Sequence, residues 1–210
     1  MATAKSDIVR REPKQNRSRQ TVDAVLEGVQ LVVRRHGPQS ITTNRIAEAA
    51  GVSIGSLYQY FPNKRAIFTA LHERHVDEVR LVIEQTMAAR ASGPLDVFAG
   101  ELVQGLMNVH AEVADLHVVV SSAMPETGLG FSEALHHTFA EVLSCADRDR
   151  YNSDETTRML FVLPRMVESL VHGSTHQGRV ALSRNGAESE VVRTVQVYVN
   201  SFRRTTSKHY

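Results

Sequence analysis

The sequence predicts an all-α fold, and three observations carry that expectation. Apolar residues recur at i, i+3, i+4 and i+7 over most of the 210 residues. The breaks between these stretches fall on helix stops such as Gly37-Pro38 and Ser92-Gly93-Pro94. The compact β-like run is confined to Val118-Val119-Val120, and no Asn-Gly or Asp-Gly turn sits between alternating apolar runs. About nine helices are expected on this pattern.

The elements follow in order. Residues 1–16 carry Lys5, Arg10, Arg11 and Lys14, interrupted by Pro13, with almost no apolar periodicity, and read as a flexible basic arm. From Ser18, the positions Val22, Val25, Leu26, Val29, Val32 and Val33 mark a first helix that ends at Gly37-Pro38. Thr42 or Thr43 caps a short second helix whose buried side is Ile46, Ala47 and Ala50, and Gly51 fits the left-handed position after it. Ser53 caps a third helix with Leu57 and Phe61 on its buried side. Pro62 is expected at the first position of a long fourth helix, where its missing N–H costs nothing, running through Phe68, Leu71, Val76, Val79, Val82 and Ile83.

The same logic continues. Phe98, Leu102, Val103, Leu106, Met107 and His110 mark one helix, and residues 113 to about 123 another that Pro125, Gly128 and Gly130 end. Phe131, Leu135, Phe139, Val142 and Leu143 mark a further one. Two more run from Met159 to Val171 and from Val191 to Phe202. The expected organisation is an arm at 1–16, a helix-turn-helix domain at 17–64 and a second helical domain at 65–210.

Composition bounds the function. With 42% hydrophobic residues the chain can bury a core. One cysteine, Cys145, excludes an internal disulfide framework. No apolar run reaches membrane-spanning length and the N-terminus lacks a signal-peptide core, so the expected setting is cytoplasmic, without membrane insertion. The net charge of +1 divides unevenly: residues 1–75 hold 12 Lys/Arg and 6 Asp/Glu, whereas 76–210 hold 12 and 17. A basic head on an acidic body suggests that one segment meets a polyanion.

The stretch GVSIG at 51–55 matches Gly-x-Ser-x-Gly, the turn that presents a nucleophilic serine in α/β-hydrolases. That turn needs a strand before it. Here the preceding residues, NRIAEAA, have helical character, so Ser53 reads as a helix cap and the hydrolase reading is disfavoured. What remains is short helix, Gly turn, short helix, the arrangement that puts a second helix into the DNA major groove. Small residues Ala47 and Gly51 would let the two helices cross closely. With Leu57 and Phe61 turned inward, Ile54, Gly55, Ser56, Tyr58, Gln59 and Tyr60 point elsewhere. Tyr60 has an alternative in partial burial against the first or fourth helix.

Residues 18–64, and above all TTNRIAEAAGVSIGSLYQYFPNK, resemble the DNA-binding domain of TetR-family transcriptional regulators. The resemblance rests on Ile46-Ala47, Ala50-Gly51-Val52, Leu57-Tyr58, Tyr60-Phe61 and Lys64 and covers about the first third of the chain. It implies a homodimeric, all-helical, non-enzymatic regulator, most simply a repressor. Its partner would be a near-palindromic double-stranded operator, and its C-terminal domain would bind an effector. It further implies that Thr42 and Thr43 bind a phosphate, that Tyr58, Tyr60 and Lys64 hold the DNA backbone, and that Arg45, Ser53, Ile54, Gly55, Ser56 and Gln59 face bases. Physical chemistry agrees for several of these. A helix start offers N–H groups to an anion, Lys64 supplies an ammonium, and a Gln amide can read adenine.

Beyond the first domain the signals are weaker. Phe98, Met107, Met124, Phe131, Phe139, Met159 and Met166 lie on apolar faces, where they serve as core or line an adaptable pocket. With Val103, Leu135 and Leu163, and with His110 or His117 as polar contacts, they form the candidate pocket for a small apolar effector. No cofactor is expected. His172 and His176 stand four apart, which gives two ligands of a metal site and no third, so no metal is expected either. The stretches 155–177 and 187–205 are the expected dimer seam, with Val167 and Val195 within it. An effector-independent DNA-binding protein with a filled core is the alternative.

Overall fold

A computed structural model describes residues 16–112, 116, 132–145, 151–176 and 184–202. Among these, regular structure is entirely helical: α1 (Asn16–His36), α2 (Thr43–Ala49), α3 (Ile54–Tyr60), α4 (Lys64–Arg90), α5 (Leu95–Glu112), α6 (Ser132–Cys145), α7 (Ser153–His176) and α8 (Arg184–Asn200), with a short 3₁₀ turn at Pro38–Ser40. The expected all-α class is what the chain forms. The arm at 1–15, most of the helix expected over 113–123 and the pocket candidates His117, Met124 and Phe131 lie outside the described residues.

The chain divides into two compact units, residues 1–76 with 113–129, and residues 77–112 with 130–210. The first is organised on α1. Val25, Leu26, Val29, Val32 and Val33 from α1 are buried with Ile46 and Ala47 of α2, Leu57 of α3, Phe61, and Ile67, Phe68 and Leu71 of α4. Burial of side chains this size contributes about 1.5–3 kcal/mol each. One contact sets how near α1 and α2 lie: a Cβ on Gly28 would stand 2.9 Å from the Ile46 carbonyl oxygen and 3.1 Å from the Ala50 Cβ. Ala47, expected with Gly51 where α2 crosses α3, is buried in this core, and the approach of α1 to α2 at Gly28 is a separate crossing. Gly51 has no heavy atom near its would-be Cβ and is required for its backbone, at φ +65°.

The second unit is a packed bundle. α5 lies along α8, α6 along α7, and α7 touches both α5 and α8. Its core gathers Phe98, Leu102 and Leu106 from α5, Leu135 and Phe139 from α6, Met159, Leu163, Val167 and Val171 from α7, and Val195 and Val199 from α8. Phe98 and Phe139 meet edge to face at 6.1 Å. The helix expected from Met159 begins at Ser153, where Asn152 and Glu155 form a reciprocal cap: Glu155 N–H donates to Asn152 Oδ1 at 2.9 Å and Asn152 N–H to Glu155 Oε2 at 2.8 Å. It then runs through a buried Pro164 to His176.

Two further expectations are corrected. Pro62 does not open α4; it precedes Asn63, whose Oδ1 accepts the Ala66 N–H at 2.9 Å, so Asn63 is the cap and the helix starts at Lys64. Val167 and Val195 are wholly buried inside their own unit, because they sit on the faces of α7 and α8 that meet the bundle. A charge at either would damage the core rather than separate a dimer.

Glycine to alanine inside a helix ordinarily gains about 0.5–1 kcal/mol. Gly28→Ala should do the reverse, costing about 1–3 kcal/mol as an overpacked contact against backbone, read from chemical denaturation of the two proteins. Equal or higher stability would mean that α1 and α2 separate freely.

Candidate nucleic-acid interface

The candidate interface is built around two helix ends placed almost back to back. α2 begins at Thr42, whose Oγ1 accepts the Arg45 N–H at 3.3 Å, so the choice between Thr42 and Thr43 falls to Thr42. It ends in a left-handed turn: Gly51 N–H donates to the Glu48 carbonyl at 3.1 Å and Val52 N–H to the Ala47 carbonyl at 3.0 Å. Ser53 follows at once, its Oγ accepting the Ser56 N–H at 3.0 Å and lying 2.8 Å from Ser56 Oγ. The residues before Ser53 form a helix, so the strand of a hydrolase elbow has no place there. Ser53 is a cap.

α3 has an inner and an outer face. Leu57 and Phe61 are fully buried. Ile54, Gly55, Tyr58 and Gln59 are exposed, and Ser56 is half-buried. Thr43 Oγ1 and the Tyr58 hydroxyl share a hydrogen bond of 3.1 Å, which ties the start of α2 to the outer face of α3. Tyr60 points the other way: it is half-buried, and its hydroxyl donates to Ser18 Oγ at 3.1 Å, linking the end of α3 to the first turn of α1.

Two cations flank the same short segment. Arg45 Nη1 donates to the Ser40 carbonyl at 3.0 Å, and Lys64 Nζ to the Ile41 carbonyl at 3.5 Å while lying 5.7 Å from the Phe68 ring centre. Carbonyl partners orient both groups without cancelling their charge. Thr42, Thr43, Arg45, Tyr58 and Lys64 are thus gathered by residues 40–43, with Ile54, Gly55 and Gln59 on the free face of α3; Ser53 and Tyr60 are employed inside the domain. The roles of Ser18, Gly28 and Asn63 escaped the sequence reading. For Asn63 a signal exists, an Asn directly ahead of a helical pattern.

The pocket candidates among the described residues lie in the second unit. Phe98, Val103, His110, Leu135, Phe139, Met159 and Leu163 are fully buried, Met107 is nearly so and Met166 is partly buried. His110 Nδ1–H donates to the Leu106 carbonyl at 2.8 Å, and its ring meets that of His172 at 5.0 Å. His172 and His176 are both on α7, but the His176 side chain lies outside the described residues. Among the described residues no three His, Cys, Asp or Glu side chains cluster to hold a metal ion, and no helix is long and apolar enough to cross a membrane.

Comparison with known proteins bears on the first unit most directly. The family model of bacterial regulatory proteins of the tetR family matches residues 32–71. Nucleoid occlusion factor SlmA of Haemophilus ducreyi is 46% identical over 59 residues, 28% of this chain and 25% of that protein. Its counterpart in Actinobacillus pleuropneumoniae is 47% identical over 57 residues, 27% of this chain and 24% of that protein. The chain thus spans about a quarter of the length of the curated relatives it matches. Solved structures share the fold over far more of the chain. The TetR-like regulator LfrR of Mycobacterium smegmatis, in complex with proflavine, has a TM-score of 0.58 at 20% identity, covering 90% of this chain and 99% of that one. The fatty acid degradation regulator FadR of Bacillus halodurans has a TM-score of 0.58 at 16% identity, covering 95% and 100%.

Removing the Ser53 hydroxyl should leave the Ser56 N–H without its partner. Ser53→Ala is expected to lower stability by about 0.5–2 kcal/mol, measured as a shift in the urea midpoint, and to leave any ester hydrolysis in the same preparation unchanged. Loss of a hydrolytic activity on this one change would return Ser53 to the role of nucleophile.

Proposed function

Because the chain belongs to the TetR family of bacterial regulatory proteins, we propose that it is a cytoplasmic, ligand-responsive DNA-binding transcriptional regulator, acting as a repressor. The observation that carries this reading is the outer face of α3. It presents Ile54, Gly55, Tyr58 and Gln59 on a helix fixed from behind by Leu57 and Phe61, with Arg45 and Lys64 held beside it on backbone carbonyls. A helix of this kind reads base edges, while Thr42, Thr43, Tyr58 and Lys64 hold phosphates.

The protein acts as a homodimer, and two reading helices related by a two-fold axis call for a near-palindromic operator. The outward faces of α7 and α8 supply the seam. Phe161 is 63% and Val197 58% exposed, and the Arg165 guanidinium covers the Phe161 ring at 4.3 Å. These outward residues take the role that buried Val167 and Val195 cannot.

A small apolar effector enters the second unit among Phe98, Met107, Leu135, Phe139 and Met159, with His110 as its polar contact. The LfrR structure, solved with proflavine, supports this aspect of the reading. α4 is the transmitting element, since it leaves the reading helix after three residues and continues unbroken to Arg90. At 1.5 Å per residue its length is about 40 Å. A second reading, an effector-independent DNA-binding protein, is favoured by the complete burial of Phe98, Leu135, Phe139, Met159 and Leu163 against one another. Calorimetric titration separates the two: an effector that lowers operator affinity must itself bind more weakly, by the same factor, when operator is present. Equal affinities with and without operator would remove the effector from the mechanism.

Selection of bound fragments from random DNA tests the central claim and yields the operator with its symmetry. On that operator, binding should weaken linearly in log salt, and Lys64→Ala should reduce the slope by about one with sequence preference unchanged. An unaltered slope would place Lys64 outside the interface.

A further inference from the structure

We infer that Ile54 and Gly55 form a thymine-reading element, in which Ile54 packs on the 5-methyl group of a thymine in the major groove and Gly55 lets α3 approach closely enough for it to do so. This rests on the reading that the outer face of α3 meets DNA. Two independent features of the free protein point to it.

The first is an aliphatic side chain left in water. Among the described residues of the first unit, the large apolar side chains that remain exposed are Ile54, Tyr58 and Val76, with Ile54 at 39%. Ile54 and Tyr58 lie one helical turn apart on α3. Tyr58 has a polar end, engaged by Thr43. Ile54 has no donor or acceptor, so it discriminates bases only through shape and apolar contact. In the major groove the apolar group on a base edge is the thymine methyl. The neighbouring outer-face residue, Gln59, has a carboxamide suited to adenine, so the same face favours A·T pairs by two different chemistries.

The second feature is a glycine with no internal reason to be one. Gly55 sits in the first turn of α3, where glycine is less favourable than alanine. Its backbone is not left-handed, and a Cβ there would meet Ser53 Oγ at 3.9 Å, an ordinary contact. Neither conformation nor packing within the chain requires the absence of a side chain. This contrasts with Gly28, which faces Ala50, and with Gly51, whose φ is positive. A body outside the chain that comes close to this turn accounts for Gly55, and it would touch Ile54 at the same time.

The test uses the full-length protein and its selected operator, with each thymine replaced in turn by deoxyuridine, which removes the methyl and nothing else. The wild type should lose roughly fourfold in affinity at one position of a half-site, and about fifteenfold when both half-sites are changed, as expected for one buried methyl in each. Ile54→Ala should bind the thymine and uracil operators equally, with the wild-type thermal midpoint. Ile54→Val, which keeps a branched aliphatic group, should retain some of the difference. Gly55→Ala should unfold at an equal or higher temperature yet bind the operator more weakly. A wild type that binds its operator with no penalty at any deoxyuridine, or an Ile54→Ala variant with the wild-type ratio, overturns the methyl contact. Undiminished operator affinity in Gly55→Ala overturns the close approach. Failure to select any DNA is a separate result and overturns the DNA-binding reading on which the inference stands.

Discussion

What α3 can present to the outside depends on how abruptly the chain changes direction before it. Three residues, Ala50 to Val52, separate the last helical residue of α2 from the cap of α3, and in that space one helix must be closed and another opened. Closing needs Gly51 in the left-handed region so that two N–H groups fold back on Glu48 and Ala47. Opening needs an acceptor for the Ser56 N–H, which Ser53 supplies. Any residue with a Cβ at Gly51 would be strained. One residue added within α3 ahead of Leu57 would turn the rest of the helix by about 100°, taking Leu57 out of the core and the outer face inward. The angle between the two short helices is therefore set by backbone chemistry, and the side chains of the reading face inherit it.

The rest of the first unit holds that angle in place from behind. Neither α2 nor α3, at seven residues each, is long enough to be stable alone. Their stability comes from Ile46, Ala47, Leu57 and Phe61 packing on α1 and α4, and from polar ties on two sides of the second half of α3. Thr43 holds Tyr58 at the front and Ser18 holds Tyr60 at the back. A hydrogen bond of this kind contributes about 0.5–1.5 kcal/mol, little beside the apolar burial. It does restrict rotation of α3 about its own axis, which matters for the base reading proposed for its outer face.

The local features were legible in the sequence and the distant ones were not. Gly51 and Ser53 could be identified because capping and turn chemistry act over three or four residues. Leu57 and Phe61 could be assigned to the core because a helix has one period. Gly28 could not be foreseen as the crossing point, because its partner Ala50 lies on another helix and periodicity carries no information about which helices touch. The bond from Tyr60 to Ser18 spans 42 residues and was invisible for the same reason, although partial burial of Tyr60 was already an open alternative. Pro62 misled because proline is favoured at the first helical position, yet Asn63 next to it is the better cap. Val167 and Val195 were assigned to a seam because an apolar stripe shows that a face is covered without showing whether the cover is the same chain or another.

Pro164 in the middle of α7 has a mechanical meaning. With no N–H to give, it leaves the Leu160 carbonyl without its helical donor, and its ring crowds that turn. Beside it, the Phe161 carbonyl accepts from the Arg165 guanidinium at 2.7 Å. The backbone ladder of α7 is thus interrupted at a single step, next to core residues Leu163 and Val167 that are both wholly buried. A rod weakened at one point bends there before it bends elsewhere. α7 therefore has its lowest resistance to bending at the turn before Pro164, beside the fully buried Leu163 and Val167.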